Sequence, residues 1–514
     1  MRFIPALVCL SLLVPALAWG DGLTNAPVRG ELTTLFFKVC DEAGYETSLT
    51  TLPLTRLEIA RHVRAMEQRP LTRSLQRTDA GFRRRLAKLR AWVNAEIKYI
   101  EKDEHNGRVD LAAHMYELYL DGRYLTQAGP TLDPWPRNER RTWDNALGAA
   151  VSFGVERHLA LTLEPVFAHH TRAGRRSPFD RDDDWVVAGE LRRGYLTAGV
   201  GNLFAEVGRD DFQWGPGRFG NLLLTDNAGP LDSARLGNRE PFALPGPLVW
   251  LGQWRINAMA AMLEEDREYP HAYLAGLRVG TLLFGLLEIN AARTVQFLGE
   301  GRPALDGADI GNIIVGRREH EYAASDTNQL AQFDVRLSLG KWRGCWDDWL
   351  PLRDVEFWWE MGADSIMGVM PSNVALLTGA ALDFGPVDFT YEYVNTQAHS
   401  PWYEHYIYTD GYTYNEEIIG HEVGCCTKRH TGRVRLWAPG DWRWEVRGDA
   451  ADKRFRQVET EMAGGTGLIA YDAVHWTLAA EGGVWLVEAT DHVAGMPDFD
   501  STVSWGKLSL AWRP

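Results

Sequence analysis

The chain of 514 residues carries 54 basic and 69 acidic side chains, a formal net charge of −15, with 45% hydrophobic and 11% aromatic residues. That apolar and aromatic content excludes a disordered chain, and the negative sum disfavours a nucleic-acid partner, whose phosphates require the opposite sign. Beyond the N-terminus, apolar runs such as 279–287 fall well short of the roughly 20 residues of a spanning helix.

Residues 1–18 have the form of a secretory signal, with Arg2 as the positive start, an apolar stretch from Ala6 to Val14, and Ala16-Leu17-Ala18 as the small-residue cleavage site. Cys9 leaves with that peptide, and Cys40, Cys345, Cys425 and Cys426 remain. An even number of thiols in an oxidising compartment permits disulfides, and the expected pairing joins Cys345 to Cys425 or Cys426.

Residues 19–106 read as a periplasmic helical region. Leu32, Leu35, Phe36 and Val39 recur at helical spacing. Pro53 opens a second helix carrying Leu54, Leu57 and Val63. Thr78 and Asp79 cap a third, Phe82 to Ile100, with Leu86, Leu89, Val93 and Ile97 inward and Arg83, Arg84, Arg85, Lys88 and Arg90 on the solvated face.

From about 107 to 514 the period changes to two. Phe333, Val335 and Leu337 alternate with Asp334, Arg336 and Ser338; Val387, Phe389 and Tyr391 alternate with Asp388, Thr390 and Glu392. Trp442, Trp444 and Val446 alternate with charges, as do Val355, Phe357 and Trp359, where Trp358 breaks the pattern. An apolar face rich in Trp and Tyr suits a membrane interface. A polar face with charges of both signs suits a wet lumen, and the strand pattern persists to Leu508, Leu510 and Trp512. The expected fold is an all-β transmembrane barrel of about 18 antiparallel strands behind a small N-terminal α-helical bundle. The 46 Arg against 8 Lys fit such a lumen, because guanidinium forks pair with carboxylates and stack on rings.

Four segments stand out. In 208–230 (GRDDFQWGPGRFGNLLLTDNAGP) the paired acids are too close to flank a glycosidic bond. A Gly/Pro-rich fold inward from the wall is expected instead, braced by Arg209 and Asp210 and including Trp214, Asp226 and Asn227. Segment 293–302 (RTVQFLGEGR) ends a strand in a glycine turn, and Asp180 to Asp184 reads as a solvated acidic loop. The aromatic run 402–414, flanked by His399, His405 and His421, offers rings that stack on sugar faces. Trp402, Tyr403, Tyr406 and Tyr412 are the candidate stackers, and Glu404 and Asp410 the hydroxyl partners. No zinc spacing, nucleophile elbow or phosphate-cradling loop appears, so neither an enzyme nor a metal or cofactor site is expected.

Segments 208–230 and 293–302, together with 391–424 (YEYVNTQAHSPWYEHYIYTDGYTYNEEIIGHEVG), resemble the capsule assembly Wzi family of outer-membrane proteins. The resemblance implies a barrel of about 18 strands with a periplasmic helical bundle, acting as a surface lectin that retains capsular or other exported polysaccharide. Its implied surroundings are outer-membrane lipid and lipopolysaccharide, with the barrel assembly machinery for insertion. A diffusion channel for saccharides is the alternative, and it requires an open lumen.

Overall fold

The computed structural model describes residues 23–68, 80–103, 111–125, 142–155, 158–171, 185–314, 326–345, 350–367, 370–398, 401–455, 458–491 and 499–514. The signal segment, Thr78 and Asp79, the acidic loop at 180–184 and His399 lie outside the described residues.

Among the described residues four helices come first: α1 Glu31–Ala43, α2 Arg56–Gln68, α3 Ala80–Trp92 and α4 Asn94–Asp103. They form because leucines, valines and aromatics recur on one face, and those faces meet in a core of Leu35, Phe36, Val39, Ile59, Val63, Phe82, Leu89 and Ile97. The single third helix expected from the sequence is interrupted at Val93, so α3 and α4 are separate. Its basic face is also divided. Arg83, Arg84 and Arg90 are exposed, whereas Arg85 and Lys88 are buried and point to the barrel side, Arg85 onto Glu42 and Lys88 onto Asp441 at 2.9 Å.

Eighteen strands follow: β1 Leu111–Leu125, β2 Thr142–Val155, β3 Leu159–Thr171, β4 Trp185–Val200, β5 Leu203–Asp210 and β6 Leu231–Asn238. Next come β7 Gln253–Met262, β8 Tyr273–Leu283, β9 Leu287–Phe297, β10 Asn328–Ser338, β11 Asp354–Met367 and β12 Met370–Asp383. The last six are β13 Val387–Asn395, β14 Thr427–Trp437, β15 Trp442–Phe455, β16 Val458–Asp472, β17 Trp476–Asp491 and β18 Phe499–Trp512. Each pairs antiparallel with the next, and β1 meets β18 with Tyr119 opposite Ala511, closing the barrel so that no edge is left unpaired.

The alternation sorts side chains as the sequence predicts. Phe333, Phe357, Trp359, Phe389, Tyr391, Trp442 and Trp444 are exposed on the outside, and Asp334, Arg336, Glu356, Glu392 and Arg443 are buried inside. Trp358, out of pattern in the sequence, points into the lumen and donates its indole N–H to Glu392 Oε2 at 3.0 Å. The helices sit under the short-turn end: Lys38 reaches Asp383 at 2.6 Å and Trp92 donates to the carbonyl of Val474 at 2.7 Å. In such barrels short turns face the periplasm and long loops the exterior.

The expected Cys345 disulfide does not form; all four described cysteines are free thiols. Cys345 lies in the β10–β11 turn at the helical end, and Cys425 and Cys426 lie where the long loop enters β14. Opposite ends of a membrane-spanning strand far exceed disulfide reach.

Candidate functional site: an occupied lumen and its outer mouth

Three chain segments meet inside the barrel. From the helical end, residues 44–52 rise into the lumen. Ser48 and Thr50 donate hydroxyls to Glu288 Oε1, each at 2.6 Å. Arg278 grips Asp334 with both terminal nitrogens at 2.8 and 2.9 Å and donates its Nε to Thr51 Oγ1 at 2.9 Å. From the other end, 211–230 folds inward. Its Gln213-Trp214 pairs with Thr51-Leu52 as a two-stranded ladder, so the segments touch mid-lumen.

The inward loop is held by wall carboxylates that accept its backbone N–H groups. Glu360 takes Gly217 at 3.0 Å and Leu222 at 2.9 Å, and Glu392 takes Arg218 at 2.8 Å. Gly215 is required here: its φ is +137°, and an added Cβ would stand 2.6 Å from the Glu360 carboxylate. Asp211, just past β5, is pushed up to about 6 by burial against the pull of Arg193 and Arg192.

The third segment, 401–426 of the β13–β14 loop, lies on the second. Tyr403 donates to the carbonyl of Leu222 at 2.6 Å, Thr225 N–H to Ile419 at 2.9 Å and Asn227 Nδ2 to Ile418 at 2.8 Å. One apolar core joins Phe212, Trp214, Leu222, Leu224, Trp402, Tyr403, Tyr408, Tyr412 and Ile419. Burial alone would raise Glu422, yet Arg429 and Arg447 hold its carboxyl well below the usual range.

The residues singled out in the sequence therefore separate. Trp402, Tyr403 and Tyr412 are at most 3% exposed and cannot stack on a ligand from solution. Their rings face Leu222 and one another because the loop folds down onto the plug, a pairing of segments distant in the chain. Tyr406 remains half exposed with its hydroxyl on Asp326; Glu404 and Asp410 are partly exposed, Asp410 accepting the N–H of Glu268 at 2.8 Å. Asp210 faces the lumen and accepts Asn25 Nδ2 at 2.8 Å. Arg209 does not brace the inward loop as expected. Adjacent strand positions face opposite sides, so it points away from the lumen and clamps Asp232 of β6, its Nε at 2.8 Å. Asp226 pairs with Arg29 at 2.9 Å. His405 and His421 are buried.

Two of the cavities among the described residues bear on the site. One of about 210 Å³ lies between α1 and the inward loop, lined by Phe37, Lys38, Asp41, Arg218, Arg433 and Arg435. The other, about 370 Å³, lies on the β17–β18–β1 wall among Asp121, Arg123, Glu481, Trp505 and Lys507. There Lys507 stands 3.3 Å from Asp121, and the Arg123 guanidinium sits 6.0 Å from the Trp505 ring. Gly483 makes the ring's place, because a Cβ there would come within 2.8 Å of the indole nitrogen. None of these residues was singled out from the sequence. The available signal was Trp505 itself, a ring at a lumen-facing position beside glycines.

A closed 18-stranded barrel with an apolar outside, a charged inside and a lumen occupied by its own chain defines a bacterial outer-membrane protein. The sequence matches the family described as capsule assembly protein Wzi over residues 134–491, and the chain belongs to that family. It is 30% identical over 183 residues to an uncharacterized 55.8 kDa protein in the cps region of Klebsiella pneumoniae. That match spans 35% of this chain and only 34% of the relative. Among solved structures it is similar to Wzi of Escherichia coli, described as an outer-membrane protein involved in group 1 capsule assembly and a carbohydrate-binding β-barrel. The TM-score is 0.64 at 19% identity, over 95% of this chain and 99% of that one, so the fold is shared.

Proposed function

We propose that this barrel is a non-catalytic, lectin-like holder of capsular or other exported polysaccharide at the outer face of the outer membrane. The observation that carries the reading is the cavity on the β17–β18–β1 wall. It combines an indole, two carboxylates and two cations beside a lumen otherwise filled by the plug. A flat ring covers the apolar face of a sugar while charged groups bond its hydroxyls. Tyr406, Glu404 and Asp410, on the β13–β14 loop beside Asp326 and Glu268, offer separate polar and aromatic contacts to a long polymer. Many weak contacts along one repeating chain retain it, because each later contact forms at high effective concentration.

The test is binding of purified oligosaccharides of an exported polysaccharide to the detergent-solubilised protein, with cell-surface retention measured in parallel. Trp505→Ala combined with Arg123→Ala is expected to weaken binding several-fold and to release polysaccharide into the medium, with the barrel still assembled. Unchanged binding and retention would count against the site. A diffusion channel makes the opposite forecast in planar bilayers, large steady conductance; the occupied lumen leads us to expect little.

A further inference from the structure

Twelve consecutive residues, 241–252 (PFALPGPLVWLG), carry no polar or charged side chain. They join β6 to β7 at the helical end of the barrel. Phe242–Ala243 continues the sheet opposite Trp254 and Gln253, and Gly246–Leu251 closes as a 3-10 turn with none of its residues buried. Leu248, Val249 and Trp250 are 46, 59 and 64% exposed. In water such a patch would be an aggregation hazard.

Its position says what covers it. On β8 the residues Leu274, Arg278 and Leu282 face inward and are buried, so Thr281 faces out with the exposed Leu277. The Thr281 hydroxyl donates to the carbonyl of Leu251 at 2.6 Å. The turn is thus fastened to the lipid-facing side of the wall, away from the lumen. Phe284 in the next turn and Val200 and Leu203 at the β4–β5 turn are also exposed, so the patch continues the lipid-facing surface. Directly before it Glu240 pairs with Arg61 of α2, so polar contact with the bundle ends where the apolar run begins.

We propose that 241–252 is a membrane anchor, with Leu248, Val249 and Trp250 inserted among phospholipid acyl chains of the periplasmic leaflet. The anchor adds a wedge to the wall on one side of the barrel, a chemistry suited to lipid tails and to no saccharide.

A nitroxide on Val249→Cys, in a Cys345→Ser/Cys426→Ser background, tests this in vesicles of phosphatidylethanolamine and phosphatidylglycerol. Collisions with oxygen, which concentrates in hydrocarbon, are expected to exceed those with a water-soluble nickel chelate several-fold. The same label on Ala87→Cys, exposed on α3, is expected to show the reverse. Nickel-dominated collisions at 249 would overturn the proposal and make a periplasmic protein the occupant. Independently, Leu248→Asp with Trp250→Asp is expected to lower vesicle insertion several-fold without changing thermal unfolding in detergent. Equal insertion would overturn it too.

Discussion

The wall from β8 to β13 and the wall from β16 to β18 follow the same two-residue rhythm, yet their inner faces differ. Inward positions on the first hold Arg278, Asp334, Arg336, Glu356, Glu360 and Glu392, all buried under the plug. Inward positions on the second include Gly464, Thr466, Ala470, Ala479, Gly483 and Ser509 beside the charged Glu481 and Lys507, aligned by the register from Arg443 opposite Ala470 through Ala479 opposite Ser509. Long charged side chains on one side reach a folded loop and hold it. Small ones on the other leave space, into which Trp505 and Arg123 project. A barrel can therefore be packed on one flank and receptive on the other without a change in its strands.

The largest expected effect comes from stripping the packed flank. Arg278→Ala leaves Asp334 buried without its cation and frees Thr51, and should cost about 3–5 kcal/mol in thermal unfolding in detergent. Lys507→Ala on the receptive flank breaks a partly exposed pair and should cost less than about 1 kcal/mol. Equal costs would erase the distinction.

Trp214→Ala and Trp505→Ala sharpen the same contrast with one chemistry. Removing the indole from the plug core should cost about 3–5 kcal/mol. Removing Trp505 should cost far less stability, and instead lower oligosaccharide affinity by isothermal titration.

A pH effect follows at the base of the plug. Burial pushes Glu46 up to about 7 from its ordinary 4.5; Arg336 opposes this and Asp354 reinforces it. The folded carboxyl holds its proton more tightly than the unfolded one. Its contribution is therefore fully present below about pH 4.5 and is lost as pH rises through about 7, at most about 3 kcal/mol. Melting of the wild type against Glu46→Gln between pH 5 and 8 checks it: the variant should show the flatter profile.

The smallest effect separates the two ends. Cys345→Ser should leave mobility on non-reducing gels unchanged, and an impermeant thiol reagent should label Cys345 in spheroplast lysates but not on intact cells.

The class of fold was legible because period-two alternation is local: Phe357, Trp359, Phe389 and Trp444 face lipid as their neighbours imply, since a strand turns successive side chains to opposite sides. The helical bundle was legible for the same reason, through its 3.6-residue stripe, although the break at Val93 and the burial of Arg85 and Lys88 were not. The inward turn expected of 208–230 followed from its Gly/Pro content, although 208–210 stay in the wall as the end of β5. The aromatic run 402–414 misled because a ring's exposure depends on what folds against it. Tyr403 is buried by Leu222, far away in the chain, and no local pattern encodes that contact.

By itself, then, the amino-acid order determined a cylinder of alternating strands behind a helical cap, because backbone periodicity and solvent partition act residue by residue. Which rings the plug conceals, which flank stays receptive and which thiols lie apart were decided only when distant segments met, because burial and charge pairing belong to contacts made in space.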